Sequence, residues 1–131
     1  MPRILVIDDQ KDVRAMIAIV LRVNCFEVVE AESAAAGLKA FQEGAFDLVI
    51  VDIFLQDACG FDVIGKMREL VPDLPVVAIS GMTSLDVASQ SAEEVVCLQK
   101  PFRPNDLTGA IEAARRRVRQ GGGRASAARV G

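Results

Sequence analysis

Histidine, tryptophan and tyrosine are all missing from the 131 residues. Without imidazole, a His-ligated metal centre and a His general base are both excluded. Aromatic content is low, since six Phe are the whole of it. The three cysteines, Cys25, Cys59 and Cys97, are odd in number and form no CxxC pair, which argues against a disulfide framework or a zinc knuckle. They suit a reducing compartment, each acting as a small apolar residue. No apolar run near the start exceeds Met16–Leu21, far below a membrane span. Ile4–Ile7 is too short for a signal core and runs directly into two aspartates. These absences describe a soluble, cytoplasmic protein with no membrane partner.

What the chain does have is a set of short apolar runs that end on reactive groups. Ile4–Ile7 meets Asp8-Asp9, Leu48–Val51 meets Asp52, Val76–Ile79 meets Ser80, and Val95–Leu98 is followed by Lys100-Pro101. Runs this short and rich in Val and Ile read as buried strands of a parallel sheet. In an open α/β sheet the ligand crevice lies beyond the carboxyl ends of the strands. Three carboxylates, a hydroxyl and an ammonium are therefore expected to converge there.

The intervening segments have helical spacing. Lys11–Val23 places Val13, Met16, Ile17, Val20 and Leu21 on one face. Ser33 suits the N-cap of an Ala-rich helix to Glu43, stopped by Gly44. A further helix is expected over Phe61–Leu70, a short one within Thr83–Glu94, and a last one capped by Asn105 or Asp106 and running to about Val118. Strands are expected at Arg3–Ile7, Cys25–Val29, Asp47–Val51, Val76–Ile79 and Val95–Leu98. The alternation implies one doubly wound α/β domain with helices on both faces of a parallel sheet. The 51% hydrophobic content is ample for a single core. Residues 1–119 form the domain in this reading, and residues 120–131, with Gly121-Gly122-Gly123, form a flexible tail with no room for an output module.

Charge is unevenly placed. Through Ala114 the net charge is −9, and from Arg115 onward six arginines and no acids give +6. The basic stretch lacks aromatics and a recognition helix, so nucleic acid is disfavoured as a partner.

Clustered carboxylates repel by roughly 4 kcal/mol at about 4 Å and an effective dielectric near 20. A hard divalent cation with oxygen ligands resolves that conflict, and Mg²⁺ typically takes one or two carboxylates plus waters and phosphate oxygens. Asp52 can then act as a nucleophile toward phosphorus. Lys100 can neutralise phosphate oxygens, and Ser80 can donate a hydrogen bond to them.

The order, spacing and type of Asp8-Asp9, Asp52, Ser80 and Lys100-Pro101 resemble the receiver domain of two-component response regulators, over about residues 3–118. The resemblance implies a (βα)5, flavodoxin-like domain with five strands in the order 2-1-3-4-5. It implies Asp52 as phosphoacceptor, with Ser80 and Lys100 contacting the phosphoryl group, and a cis Lys100–Pro101 bond. It also implies Mg²⁺ held by Asp9, Asp52 and the Phe54 main-chain carbonyl, with Asp8 acting through water. The phosphoryl group would come from a sensor histidine kinase or histidine phosphotransfer protein, and the switched surface would meet a downstream protein target. Homodimerisation stays open.

Several positions depart from the family pattern. Cys97 stands where a Tyr or Phe is usual, which removes the aromatic that couples phosphorylation to the surface. Its bland reading is a small buried strand residue; a redox-sensitive switch would need exposure and a lowered pKa. The Ser80–Lys100 segment is short, and Ser91–Glu94 replaces an Ala-Gly-Ala turn. Gln56 and Cys59 replace a Pro and an Asp. Phe54 and Met82 put bulk beside the phosphate, which would obstruct attacking water and prolong the phosphorylated state. The leading expectation is a stand-alone receiver rather than an enzyme. Its alternatives are a phosphate-independent interaction module of the same fold and a small metal-dependent phosphatase, the latter disfavoured by the lack of a cap domain.

Overall fold

The computed structural model describes residues 1–81 and 95–130, with side chains as far as Arg117 in the last helix. Its strands are β1 (Arg3–Ile7), β2 (Glu27–Ala31), β3 (Leu48–Asp52), β4 (Val76–Ser80) and β5 (Val96–Gln99). They form one sheet in the order β2-β1-β3-β4-β5, with every neighbouring pair parallel. The described helices are α1 (Lys11–Val23), α2 (Ala34–Glu43), α3 (Gly60–Leu70) and α4 (Pro104–Val130). The doubly wound α/β architecture and strand order are those expected. The expected helix within Thr83–Glu94 lies outside the described residues.

Period-two alternation sends each strand's side chains to opposite layers. Ile4, Val6, Leu48, Ile50, Val77 and Ile79 pack with Ile17 and Leu21 of α1 and Leu107 and Ile111 of α4. Leu5, Ile7, Val49, Val51, Val76 and Ala78 face the other way, toward Phe41 of α2 and Val63, Ile64 and Met67 of α3. Because both faces are covered, β3 and β4 are buried at every position, which is why they read as unbroken apolar runs.

Two elements, the second strand and the last helix, differ from expectation by more than one residue, for identifiable reasons. The second strand starts at Glu27, not Cys25, because α1 ends in a Schellman turn. Phe26 N–H donates to Leu21 O at 3.0 Å and Cys25 N–H to Arg22 O at 3.0 Å, with Cys25 at φ 67° in the left-handed region. The last helix begins at Pro104, which suits a first helical position. Asp106 does not precede it as a cap; its carboxylate reaches back to accept Arg103 N–H at 2.9 Å. That helix extends to Val130 rather than ending near Val118, and no proline interrupts the stretch. Ser33 caps α2 as expected, accepting Ala36 N–H at 3.0 Å.

Gly60 fixes how α3 leaves the site. A Cβ there would lie 2.5 Å from Asp52 O and 2.7 Å from Ile53 Cα, both backbone. Neither atom can move without displacing β3. Gly60→Ala is expected to cost about 2–3 kcal/mol by overpacking. Gly65→Ala, with nothing within 4 Å of its Cβ, is expected to gain about 0.5–1 kcal/mol from helix propensity. Urea midpoints of the two variants should move in opposite directions.

Candidate functional site

Parallel pairing in register brings the strand ends level. Ile7 pairs with Val51, Asp52 with Ile79, and Ser80 with Gln99, so the residues at or just after those ends meet at one edge of the sheet. The order β2-β1-β3 makes β1 and β3 the point where the winding reverses, which is where a crevice opens. β1 delivers Asp8 and Asp9 to it and β3 delivers Asp52. Ser80 closes β4, and its carbonyl accepts the Lys100 N–H at 2.7 Å. The Lys100–Pro101 peptide bond is cis.

Carboxylate oxygens of Asp8, Asp9 and Asp52 lie within 4.8 Å of one another. Asp8 is fully buried, Asp52 is 4% exposed and Ser80 is 3% exposed. The Lys100 ammonium donates to Asp52 Oδ2 at 2.8 Å and to Gln10 Oε1 at 2.7 Å. It also lies 3.1 Å from Asp8 Oδ2. That last contact is an ion pair without hydrogen-bond alignment, because Asp8 Oδ2 is buried with no hydrogen-bond donor. Backbone amides take the remaining oxygens: Gln10 N–H donates to Asp8 Oδ1 at 2.8 Å, Phe54 N–H to Asp52 Oδ1 at 2.9 Å and Gln56 N–H to Asp9 Oδ2 at 2.9 Å.

Among the described residues, one ammonium faces three carboxylates. Burial raises the Asp8 pKa, and this outweighs the Gln10 amide and Lys100. Burial would lower the Lys100 ammonium, but its hydrogen bond to Asp52 and its charge contacts with Asp52 and Asp8 hold it above the usual lysine range. An orphaned buried carboxylate oxygen beside two further acids is an oxygen-donor set that fits a hard divalent cation. Asp8, Asp9 and Asp52 converge as the sequence predicts, together with Lys100. Above them opens a cleft of about 570 Å³, lined by Asp9, Asp52, Phe54, Gly81 and Lys100 and walled by α1 and the β5–α4 connection. Phe54 is 46% exposed at its edge; Met82 lies outside the described residues.

Two site residues escape sequence reasoning. Gln10 enters through the Lys100 hydrogen bond, between residues 90 apart. Asp57 accepts the Ala34 and Ala35 amides at 3.0 and 3.1 Å, and so ties the loop after Asp52 to the start of α2. Those two amides hold its carboxyl below the usual carboxylate range.

Cys97 is half-buried in β5, and burial pushes its thiol up despite the charge of Arg117. Reactivity follows the thiolate. Cys97 is therefore expected to react with a thiol reagent about tenfold or more slowly than exposed Cys25 and Cys59. Site-resolved mass spectrometry over time would check this. Equal rates would reopen the redox reading.

Comparison with known proteins agrees with this geometry. A profile described as the response regulator receiver domain matches residues 4–112. The transcriptional regulatory protein PrrA of Mycobacterium tuberculosis is 35% identical over 118 residues, which are 88% of this chain but 51% of PrrA. The chain thus spans about half the length of that relative. The response regulator receiver protein CpdR of Brucella abortus is 29% identical over 86% of this chain and 95% of its own length. A receiver domain structure from Clostridium thermocellum superposes with a TM-score of 0.81 at 31% identity, covering 92% of this chain and 98% of the other. The profile match, the strand order and the acidic pocket agree: the chain belongs to the response regulator receiver domain family, a family of signalling modules of two-component systems.

Proposed function

We propose that this receiver accepts a phosphoryl group on Asp52 and uses it to switch protein contacts. The observation that carries the reading is the buried Asp52 carboxylate, hydrogen-bonded to Lys100 at 2.8 Å and clustered with Asp8 and Asp9 at the mouth of a cleft. Phosphoryl transfer asks mainly for alignment and charge stabilisation. An Asp52 oxygen attacks phosphorus while the bond to the donor's imidazole nitrogen breaks, and that imidazole leaves. Lys100 follows the new charge from the carboxylate to the phosphoryl oxygens, and the Ser80 hydroxyl donates to another.

Asp9, Asp52 and the Phe54 carbonyl would hold Mg²⁺, with Asp8 acting through water. Bound there, Mg²⁺ supplies positive charge to acids and phosphoryl oxygens. The donor is a sensor histidine kinase or a histidine phosphotransfer protein, and the output is contact with a downstream protein. Phe54 screens the phosphoryl group from water and lengthens its life. PrrA and CpdR match over different shares of their lengths, so relatives include both a receiver of similar size and one within a longer chain. The contact switch is the same in either setting. Among the described residues, no helix is long and apolar enough to cross a membrane.

Cys97 favours a second reading, a phosphate-independent interaction module, because no aromatic at that position can follow the phosphoryl group. Incubation with Mg²⁺ and acetyl phosphate distinguishes the two. Intact-mass analysis should show one added phosphoryl group on wild type and none on Asp52→Asn. An unmodified wild-type mass would favour the phosphate-independent module.

A further inference from the structure

We infer that Gln10 is a positioning residue for Lys100, a role that rests on the phosphoacceptor reading of Asp52. Among the described residues the Lys100 ammonium has three polar neighbours: Asp52 Oδ2 at 2.8 Å, Asp8 Oδ2 at 3.1 Å and Gln10 Oε1 at 2.7 Å. Two are carboxylates that a divalent cation competes for. Gln10 Oε1 is the neutral one, and it gives the shortest of the three contacts. When a cation and a phosphoryl group claim the acids, Lys100 must leave them without swinging out to solvent. A carbonyl acceptor on the cleft side keeps the ammonium where the incoming oxygens arrive.

The rest of the local structure fixes Gln10 for this task. It precedes α1, with its φ and ψ of −88° and 109° in the extended region, and its side chain caps no helix amide. Its N–H is held by Asp8 Oδ1 at 2.8 Å and its carbonyl accepts Arg14 N–H at 3.0 Å. The backbone is thereby pinned at both ends, while the side chain lies along the cleft that also holds Asp52, Gly81 and Lys100. Being neutral, Gln10 adds no repulsion toward a phosphoryl donor. A glutamate there would hold the ammonium but repel the donor.

The transfer from acetyl phosphate balances simply. Asp52 oxygen bonds to phosphorus, the bond from phosphorus to the acetyl oxygen breaks, and acetate leaves with the electron pair. With saturating Mg²⁺, Gln10→Ala is expected to lower the saturated first-order rate about tenfold, the scale of a lost hydrogen bond to a charged group. Half-saturating acetyl phosphate should change less than about twofold, because uniform binding is untouched. Gln10→Glu keeps an acceptor of the same reach. It should recover the saturated rate while raising the half-saturating concentration. In a Lys100→Ala background, Gln10→Ala should add nothing.

A saturated rate within about twofold of wild type in Gln10→Ala would overturn the inference. So would equal losses in the Ala and Glu variants, or an additive loss in the Lys100→Ala background. If wild type accepts no phosphoryl group at all, the failure lies with the Asp52 reading. The Gln10 role is then read from the ¹⁵N resonance of the Lys100 ammonium. Faster proton exchange in Gln10→Ala supports positioning, and unchanged exchange rejects it.

Discussion

Lys100→Ala is expected to destabilise the metal-free protein by about 3 kcal/mol at neutral pH, the usual cost of leaving buried charge without its partner. Lys100 is 15% exposed at its side chain, and it touches a fully buried Asp8 and an Asp52 side chain exposed by 5%. Removing it leaves, among the described residues, three acids within 4.8 Å of one another and no ammonium between them. The sign with pH follows from the raised ammonium pKa. Its stabilising contribution is complete below the unfolded lysine value of 10.5 and fades only as pH rises through the higher folded value. Neutral-pH urea denaturation in chelator therefore reads the full effect. Millimolar Mg²⁺ should recover much of the loss, since a divalent charge replaces the missing one. The variant should also bind Mg²⁺ more tightly than wild type, because Lys100 no longer competes for Asp52 Oδ2. A chelator midpoint equal to wild type would show that water already neutralises the cluster and that the ion pairs carry little.

The cluster was readable because its members sit where short apolar runs stop. Asp8, Asp9, Asp52, Ser80 and Lys100 each close a strand or follow its end, and parallel pairing does the rest. The α1 boundaries were equally legible, since Lys11–Val23 carries an uninterrupted helical pattern. Legibility fails where the determining contact is distant or contradicts a residue's habit. Cys25 adopts a left-handed φ that normally calls for Gly or Asn, so residue type alone starts the second strand two residues early. Asp57 caps a helix that begins 23 residues before it, and Gln10 meets a lysine 90 residues later. Local propensity holds no trace of either. Lys100 shows the limit from the other side: the sequence placed it at the site, while its three-way sharing among Asp8, Asp52 and Gln10 required coordinates.

Asp8→Asn is expected to do the opposite to stability, and to expose what the cluster costs. Asp8 has its pKa raised by burial. A carboxyl with a raised folded pKa destabilises the fold at neutral pH, and that penalty disappears as pH falls through the raised value toward the ordinary one. Asparagine fills the same space without the charge. At up to 4.8 Å from Asp9 and from Asp52, the lost repulsion is on the order of 3 kcal/mol for each at an effective dielectric near 20. The lost Lys100 attraction at 3.1 Å is about 5 kcal/mol on the same scale, which leaves a gain of about 1–2 kcal/mol in chelator. The advantage over wild type should shrink with acidification; Asp57 and Asp106, whose pKa values are lowered, titrate alike in both proteins and cancel from the difference. Mg²⁺ affinity should fall about 10–100-fold, the range for losing an outer partner of a metal site. In saturating Mg²⁺ the order of stability should therefore reverse, with wild type gaining more from binding. If Asp8→Asn proved less stable than wild type in chelator, the buried carboxylate would be a structural hydrogen-bond acceptor first. A site that is destabilising when empty and stabilising when filled is poised for its ligand, and the crossing of the two stability orders is the direct measure of that poise.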